Sequence, residues 1–149
     1  MEQIEFPQDF SEFLKLLNDH HVEYLLVGGF AVALHGYPRT TADMDVWVAR
    51  THSNAERVVR CLREFGFDTP TLTPDLFADP NSIVRMGEAP LRIEILTEID
   101  GVEFDECVRR ATHQNIGELI VPVIGLDDLK TNKKASGRPK DLDDLEHLP

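Results

Sequence analysis

The chain has 149 residues, 42% of them hydrophobic, and a formal net charge of −12 at pH 7. This length suffices for one domain with a sizeable core and is short for two, so we expect a single domain over residues 1–149. The negative charge argues against long duplex nucleic acid as a partner, because such binding depends mostly on Lys and Arg contacts to phosphates. A nucleotide or an RNA end held by a local basic patch is still compatible with this charge.

The sequence also indicates the cellular location of the protein. It contains no run of about 18 apolar residues, so we expect no membrane span and no membrane partner. Residues 1–6 form neither a basic nor an apolar leader segment, which argues against secretion. Cys61 and Cys107 lie far apart and lack the spacing of a zinc site, which favours reduced, structural thiols. These features predict a cytoplasmic protein.

Hydrophobic periodicity and turn residues predict an alternation of helices and strands. The predicted helices cover residues 7–21, 30–34, 53–66, 103–111, 126–136 and 142–148, and the predicted strands cover 22–27, 43–48, 82–86, 91–96 and 118–123. Asp9 or Ser11 is expected to cap the first helix, and Ser53 with Glu56 the third. Residues 69–80 contain three prolines and are predicted to form a loop, and residues 87–90 should turn a hairpin. Pro122 suggests an edge position for the last strand.

Three carboxylates interrupt apolar strands. Asp43 and Asp45 are two residues apart, so both point to one face of their strand, while the residues between and after them are apolar. Glu94 likewise lies on the face opposite to Ile93 and Ile95. If the two strands are neighbours, the three acids converge, and such a cluster repels itself unless cations neutralise it. A hard divalent cation such as Mg²⁺ is the simplest candidate.

Gly28 and Gly29 form a turn between the buried strand 22–27 and the short helix that follows it. Glycines at such a place let backbone N–H groups approach phosphate oxygens closely, and a helix N-terminus favours negative charge. The chain therefore combines features of a phosphate site with those of a metal site.

The order of Gly28-Gly29, then Asp43-x-Asp45, then an acid on a later strand resembles the DNA polymerase β-like nucleotidyltransferase superfamily. The run from His35 to Asp45 and the closing run 137–145 are similar to its small bacterial branch. That branch includes minimal nucleotidyltransferases, antibiotic nucleotidyltransferases and the nucleotidyltransferase halves of toxin–antitoxin pairs. The resemblance covers about residues 22–148 and implies an α+β nucleotidyltransferase fold, a mixed twisted sheet flanked by helices.

The resemblance also implies roles for these residues. Asp43 and Asp45 would bind one or two Mg²⁺ ions, and Gly28 and Gly29 would hold the triphosphate of a nucleotide. Glu94 would either complete the second metal site or act as the general base on an acceptor hydroxyl. The implied reaction moves a nucleoside monophosphate from an NTP, with ATP as the expected donor, to an acceptor hydroxyl and releases pyrophosphate.

A basic segment could meet the triphosphate. Residues 130–140 contain five Lys or Arg residues and no acid. Lys130, Lys133 and Lys134 are spaced so that one helix face can present them together. In the functional interpretation Lys130 or Lys133, with Arg138, contacts phosphates, and Lys133 is the strongest single candidate. The alternative is a solvated helix whose cations pair with the nearby aspartates, namely Asp127, Asp128 and Asp141.

Three further residues have two interpretations each. Arg39 either contacts the nucleotide or acceptor, which we favour, or pairs with Asp43 and orders its loop. His35 is more often a packed or capping residue than a catalytic one in such a position. Trp47 shares the strand face of the two aspartates and could line a pocket, although a core position is favoured for a large aromatic residue on a sheet.

Two functions from different classes fit this sequence. The first is a Mg²⁺-dependent nucleotidyltransferase whose acceptor is a small molecule, an RNA end or a protein hydroxyl. The second is a nucleotidyltransferase-like component of a toxin–antitoxin pair that acts mainly by binding a partner protein. Small size favours the second, and the presence of all three acids favours the first.

Overall fold

The computed structural model describes residues 6–87 and 91–149. Residues 1–5 of the segment considered as a leader and residues 88–90 of the predicted hairpin turn lie outside the described residues. The helices are α1 Gln8–Asp19, α2 Gly28–Leu34, α3 His52–Phe65, α4 Asp75–Ala78, α5 Phe104–Arg109, α6 Leu126–Ser136 and α7 Pro139–His147. The strands are β1 Tyr24–Val27, β2 Asp43–Val48, β3 Ile83–Met86, β4 Arg92–Leu96, β5 Thr112–Ile116 and β6 Leu119–Val123.

The strands form one six-stranded sheet in the order β3-β4-β2-β1-β6-β5. Strand β2 is antiparallel to β1 and parallel to β4. Strand β6 runs parallel to β1, and the outer strands β3 and β5 are antiparallel to their neighbours. The sheet is therefore mixed, as predicted, and the strand that bears Asp43 and Asp45 lies in its interior.

Helices α1 and α3 cover the sheet face to which the apolar residues of β2 point. Helix α1 buries the predicted stripe of Phe10, Phe13, Leu14 and Leu17. Residues of both helices line one cavity together with Ile93, whose neighbour across the sheet is Met44. On the opposite face Trp47 is 2% exposed and packs edge-on against Phe104 of α5, with ring centroids 5.1 Å apart. Trp47 is thus a core residue, as favoured.

The two strands at the β5 end of the sheet differ from prediction. Strand β5 was not predicted, because Thr112–Ile116 is polar and mostly exposed and has no apolar alternation to reveal it. Strand β6 was expected at the edge because of Pro122, but it lies between β1 and β5. The pairing of β6 with β1 is confined to Leu26 and Val123, so Pro122, which has no backbone N–H group, is accommodated in β6.

Helix starts were the least accurate predictions. The cap of α3 is Thr51, whose side chain accepts a hydrogen bond from the Asn54 backbone N–H at 3.3 Å, and the expected pairing of Ser53 with Glu56 is wrong. Helix α1 follows Pro7 and has no side-chain cap, so the capping roles expected for Asp9 or Ser11 are wrong.

Two further helix differences lie in proline-containing segments. Helix α7 begins at Pro139, three residues before the prediction, because proline is tolerated in a first turn. The predicted loop 69–80 contains the one-turn helix α4, which buries Phe77.

Both cysteines are buried free thiols. Burial raises the pKa of Cys61 and of Cys107 to about 12, so neither forms a reactive thiolate near neutral pH. Within the described ranges, no helix combines the length and apolar character needed to cross a membrane.

Candidate active site

The register between β2 and β4 brings the three predicted acids to one face of the sheet. Asp45 lies directly across from Glu94, and Asp43 lies across from Arg92. Residues paired across strands share a face, so Asp43, Asp45 and Glu94 form one acidic surface. We call this surface the acidic strip.

Asp45 is the most perturbed carboxyl of the acidic strip. Burial, followed by the charge of Glu94 and a hydrogen bond with it, raises the pKa of Asp45 to about 7, and Asp43 adds to the shift. Its Oδ1 is buried and has no hydrogen-bond partner among the described residues. A buried carboxylate oxygen without a partner is costly, which marks this position as one where a cation would be stabilising.

The other two acids have arginine partners. Glu94 accepts from Arg85 Nε at 2.9 Å, and Asp43 accepts from Arg92 Nε at 3.3 Å. Within residues 6–87 and 91–149, no three Asp, Glu, His or Cys side chains are already arranged as a complete metal-binding group. The donor set of carboxylate oxygens suits Mg²⁺, and the unpartnered Asp45 oxygen fits such an ion, but two of the donors are turned to guanidinium groups.

Helix α2 begins at Gly28, so the two glycines are its first residues and not a separate turn before it. Gly28 has φ +69°, and a Cβ atom there would lie 2.1 Å from Asp45 Oδ2. A Cβ atom at Gly29 would lie 2.7 Å from Thr41 Oγ1. Gly28 thus lets the start of α2 approach Asp45, and Gly29 lets it approach Thr41, more closely than any other residue type would allow.

We expect Gly28→Ala to cost more than backbone strain alone. A left-handed conformation costs an alanine about 1–2 kcal/mol, and the added methyl group must also displace the Asp45 carboxylate. Gly117→Ala is the matched control, because Gly117 has φ +60° with open space around its Cβ position. Thermal unfolding should show a larger loss for Gly28→Ala, and equal losses in the two variants would contradict close packing at Asp45.

A buried ion network holds α7 against α6. Lys133 is 5% exposed, and its Nζ lies 3.0 Å from a carboxylate oxygen of Asp141 and 3.0 Å from one of Asp144. Burial alone would raise the pKa of Asp141, but hydrogen bonds from Ser136, Arg138 and Lys133 outweigh it and lower the pKa to about 2. The pKa of Asp144 is lowered in the same way, because hydrogen bonds from Arg39 and Lys133 outweigh burial.

This network corrects the expectation for the basic segment. Lys130, Lys133 and Lys134 do not present one common face, since Lys133 is buried and Lys134 is exposed. The Nζ of Lys130 donates to the backbone carbonyl of Pro149. The alternative of a solvated helix is wrong for Lys133, although its predicted pairing with Asp141 is present.

The two arginines predicted for the site differ in accessibility. Arg39 donates to both carboxylate oxygens of Asp144, at 2.8 and 2.9 Å, so its expected alternative partner Asp43 is wrong. Arg138 donates to Asp141 at 2.8 Å but its side chain is 77% exposed. The hydrogen bond with Asp141 is the main cause of a raised pKa of Arg138, and Asp45 contributes to it, so this guanidinium is within electrostatic reach of the acidic strip.

His35 packs as expected, because its Nε2 forms a hydrogen bond of 2.6 Å with the backbone carbonyl of Ile124. The ion-pairing roles of Arg85, Arg92 and Asp144 were not predicted from the sequence, although Asp144 lies in the closing run that resembles the family. Alternation along β4 could have placed Arg92 beside Glu94, since the two residues are two apart. Asp144 is three residues after Asp141 and four before Leu148, so all three fall on one helix face, and all three are buried.

Comparison with known proteins agrees with this architecture. The model of a family described as "Nucleotidyl transferase of unknown function (DUF2204)" matches residues 7–149. The crystal structure of a Thermotoga maritima protein superposes on this chain with a TM-score of 0.63. The assignment of that protein as a nucleotidyltransferase is itself an inference. The two sequences are 16% identical, and the match covers 92% of this chain and 88% of that protein.

A search of curated proteins gives no significant match. The structural likeness confirms the predicted α+β nucleotidyltransferase fold. The family match extends over nearly the whole chain and confirms the resemblance drawn from the sequence. The chain therefore belongs to the family of nucleotidyl transferases of unknown function, DUF2204.

Proposed function

We propose that this protein is a Mg²⁺-dependent nucleotidyltransferase that moves a nucleoside monophosphate from an NTP, with ATP as the expected donor, to an acceptor hydroxyl. The observation that carries the proposal is Asp45, a half-buried carboxylate with a raised pKa beside two more acids, one oxygen of which is buried and has no partner among the described residues. Such a position is unfavourable for the protein alone and favourable for a cation-binding site. Pyrophosphate is the second product.

Asp43, Asp45 and Glu94 would hold one or two Mg²⁺ ions. When bound, these ions would neutralise the charge that develops on the transferred phosphoryl group and on the leaving pyrophosphate. The chain's own contribution is to fix the three carboxylates on two paired strands, so that their spacing is set by the sheet register. Glu94 either completes the second ion site or takes the proton of the acceptor hydroxyl.

The start of α2 and the exposed Arg138 are the proposed nucleotide contacts. Gly28 and Gly29 open α2 beside the acidic strip, so their backbone N–H groups can face phosphate oxygens. Arg138 has an exposed guanidinium whose charge interacts with that of Asp45. Lys133 and Arg39 act indirectly in this proposal, because both are occupied in holding α7. Lys130 is the least supported of the predicted contacts.

Glu94→Gln is expected to remove transfer while leaving nucleotide binding largely intact. The amide keeps the size of the side chain but neither carries the charge for an ion nor accepts a proton. Transfer is followed with α-labelled ATP, and binding is followed by calorimetry with ATP and Mg²⁺. Glu118→Gln, at an exposed turn residue, is the matched control. Full transfer activity in Glu94→Gln would remove Glu94 from the proposed mechanism.

The direct test incubates the protein with each α-labelled NTP and Mg²⁺, with or without EDTA. Candidate small molecules, RNA and proteins are present as acceptors. The proposal expects label on an acceptor that depends on Mg²⁺ and is absent with EDTA and in an Asp45→Asn variant. Absence of label with every NTP would contradict it.

A partner-binding component of a toxin–antitoxin pair is the second candidate function. It is favoured by a cavity of about 550 Å³ with a mixed apolar and charged lining on the sheet face opposite the acidic strip, between α1, α3 and strands β3 and β4. Its lining includes Phe10, Phe65 and Met86. Absence of transfer together with a co-purifying protein would favour this function over the first.

A further inference from the structure

Two arginines of the β3–β4 hairpin lie on the same sheet face as the acidic strip. Arg85 is directly across from Glu94 in the β3–β4 ladder, and Arg92 is directly across from Asp43 in the β2–β4 ladder. Arg85 and Arg92 have side chains that are 60% and 43% exposed, whereas those of Glu94 and Asp43 are 19% and 35% exposed. Each arginine side chain is therefore more exposed than the carboxylate with which it pairs.

These pairs engage two of the three acids of the strip. Glu94 and Asp43 each form an ion pair with an arginine, whereas no cationic side chain among the described residues forms one with Asp45. A divalent cation that uses the same carboxylate oxygens must compete with the guanidinium groups for them. Ion pairs this exposed contribute little free energy, so a doubly charged ion can displace them.

A displaced guanidinium would remain next to the site, since its backbone is fixed in the sheet. Arginine is well suited to phosphate oxygens, because its planar group donates two parallel hydrogen bonds. Each ion that binds the strip would thus release a cationic group at the place where a triphosphate brings negative charge.

We propose that Arg85 and Arg92 are exchangeable counterions, which hold Glu94 and Asp43 in the metal-free protein and contact the phosphates of the nucleotide once Mg²⁺ occupies these carboxylates. This inference rests on the proposed function, because it assigns two further nucleotide contacts to the same site. Substitution of either arginine should therefore strengthen binding of the ion alone and weaken binding of the nucleotide.

The first measurement uses Mn²⁺ alone, with free ion detected by electron paramagnetic resonance and no nucleotide present. Arg85→Gln and Arg92→Gln remove the competing charge while keeping most of the side-chain length. Each variant should bind Mn²⁺ about 2–5-fold more tightly than the wild type, the range expected for loss of an exposed ion pair. The double variant should show the larger increase.

The second measurement uses α,β-methylene ATP with Mg²⁺ in calorimetry, so that binding is observed without transfer. Each variant should bind this nucleotide about tenfold more weakly, as expected for loss of a hydrogen bond between a charged donor and a phosphate. Arg63→Gln is the matched control, because Arg63 forms a similarly exposed pair with Asp68 at the end of α3. The control should change neither measurement.

Opposite changes in the two measurements support the inference. Unchanged binding of both ligands in Arg85→Gln and Arg92→Gln would overturn it, as would weaker binding of Mn²⁺, which would make the arginines supports of the acids. Failure of the proposed function is distinguishable, because it appears as absence of label transfer by the wild type, whereas failure of this inference appears only in the binding of Mn²⁺ and nucleotide by the arginine variants.

Discussion

Replacing Asp45 by asparagine is expected to stabilise the metal-free protein at pH 8 by about 4 kcal/mol and to abolish nucleotidyl transfer. The stabilisation follows from the pKa of Asp45, which burial and the neighbouring acids raise to about 7. At pH 8 the folded wild type must keep this carboxylate ionised in an unfavourable place, whereas asparagine is neutral. A gain of stability on removing a site residue is the signature of a position shaped for a ligand.

The pH dependence has a definite sign. The pKa of an aspartate in the unfolded chain is about 3.9, so between about pH 4 and pH 7 the folded state binds the proton that the unfolded state has lost. The stability of the wild type relative to Asp45→Asn therefore falls as the pH rises through this window and is constant above it. Below about pH 4 the two proteins should be equally stable.

Urea unfolding in EDTA at several pH values between 4 and 8 measures this difference. Asp68→Asn, which removes the same charge at an exposed position, should remain within about 0.5 kcal/mol of the wild type throughout. Mg²⁺ should raise the melting temperature of the wild type more than that of Asp45→Asn, because only the wild type offers the full set of carboxylates. An Asp45→Asn protein no more stable than the wild type at pH 8 would contradict this account.

The acidic strip could be predicted from the sequence only in part. Alternation within two apolar strands placed Asp43, Asp45 and Glu94 on polar strand faces, and their convergence was expected only on the condition that these strands are neighbours. The register that places Asp45 across from Glu94 follows from the β2–β4 pairing and cannot be predicted from the sequence of either strand alone. The arginine partners were overlooked for the same reason, since a cross-strand ion pair exists only once the register is fixed.

The C-terminal helices show where local patterns are insufficient. Basic residues 130–140 look like a solvated or phosphate-binding surface in sequence, because spacing alone does not reveal which side of a helix is covered. The docking of α7 on α6 buries Lys133 and gives it two carboxylate partners that are eight and eleven residues further along the chain. Polar strand β5 is a similar case, because its strand conformation depends on pairing with β6.

Lys133→Met is expected to destabilise the protein by about 3 kcal/mol at pH 7. Lys133 is buried, and removing it leaves the Asp141 and Asp144 carboxylates with fewer compensating charges in the interior. Arg138 and Arg39 still contact these acids, which limits the loss. Lys134→Met is the matched control, because the neighbouring lysine is exposed and its replacement should change stability by no more than about 0.5 kcal/mol.

The pH profile of Lys133→Met separates an anchor of α7 from a phosphate ligand. The pKa of Asp141 in the folded protein is lowered to about 2, so its pairing stabilises the fold above about pH 4, and this contribution is lost as the pH falls towards 2. The destabilisation should therefore be largest near neutral pH and shrink on acidification, opposite in sense to the profile of Asp45. If Lys133 instead served mainly as a phosphate contact, the variant would unfold like the wild type at every pH and lose only nucleotide affinity. If Lys133 is an anchor of α7, it holds Asp144, which in turn holds Arg39. Lys133→Met should then weaken nucleotide binding only together with the loss of stability.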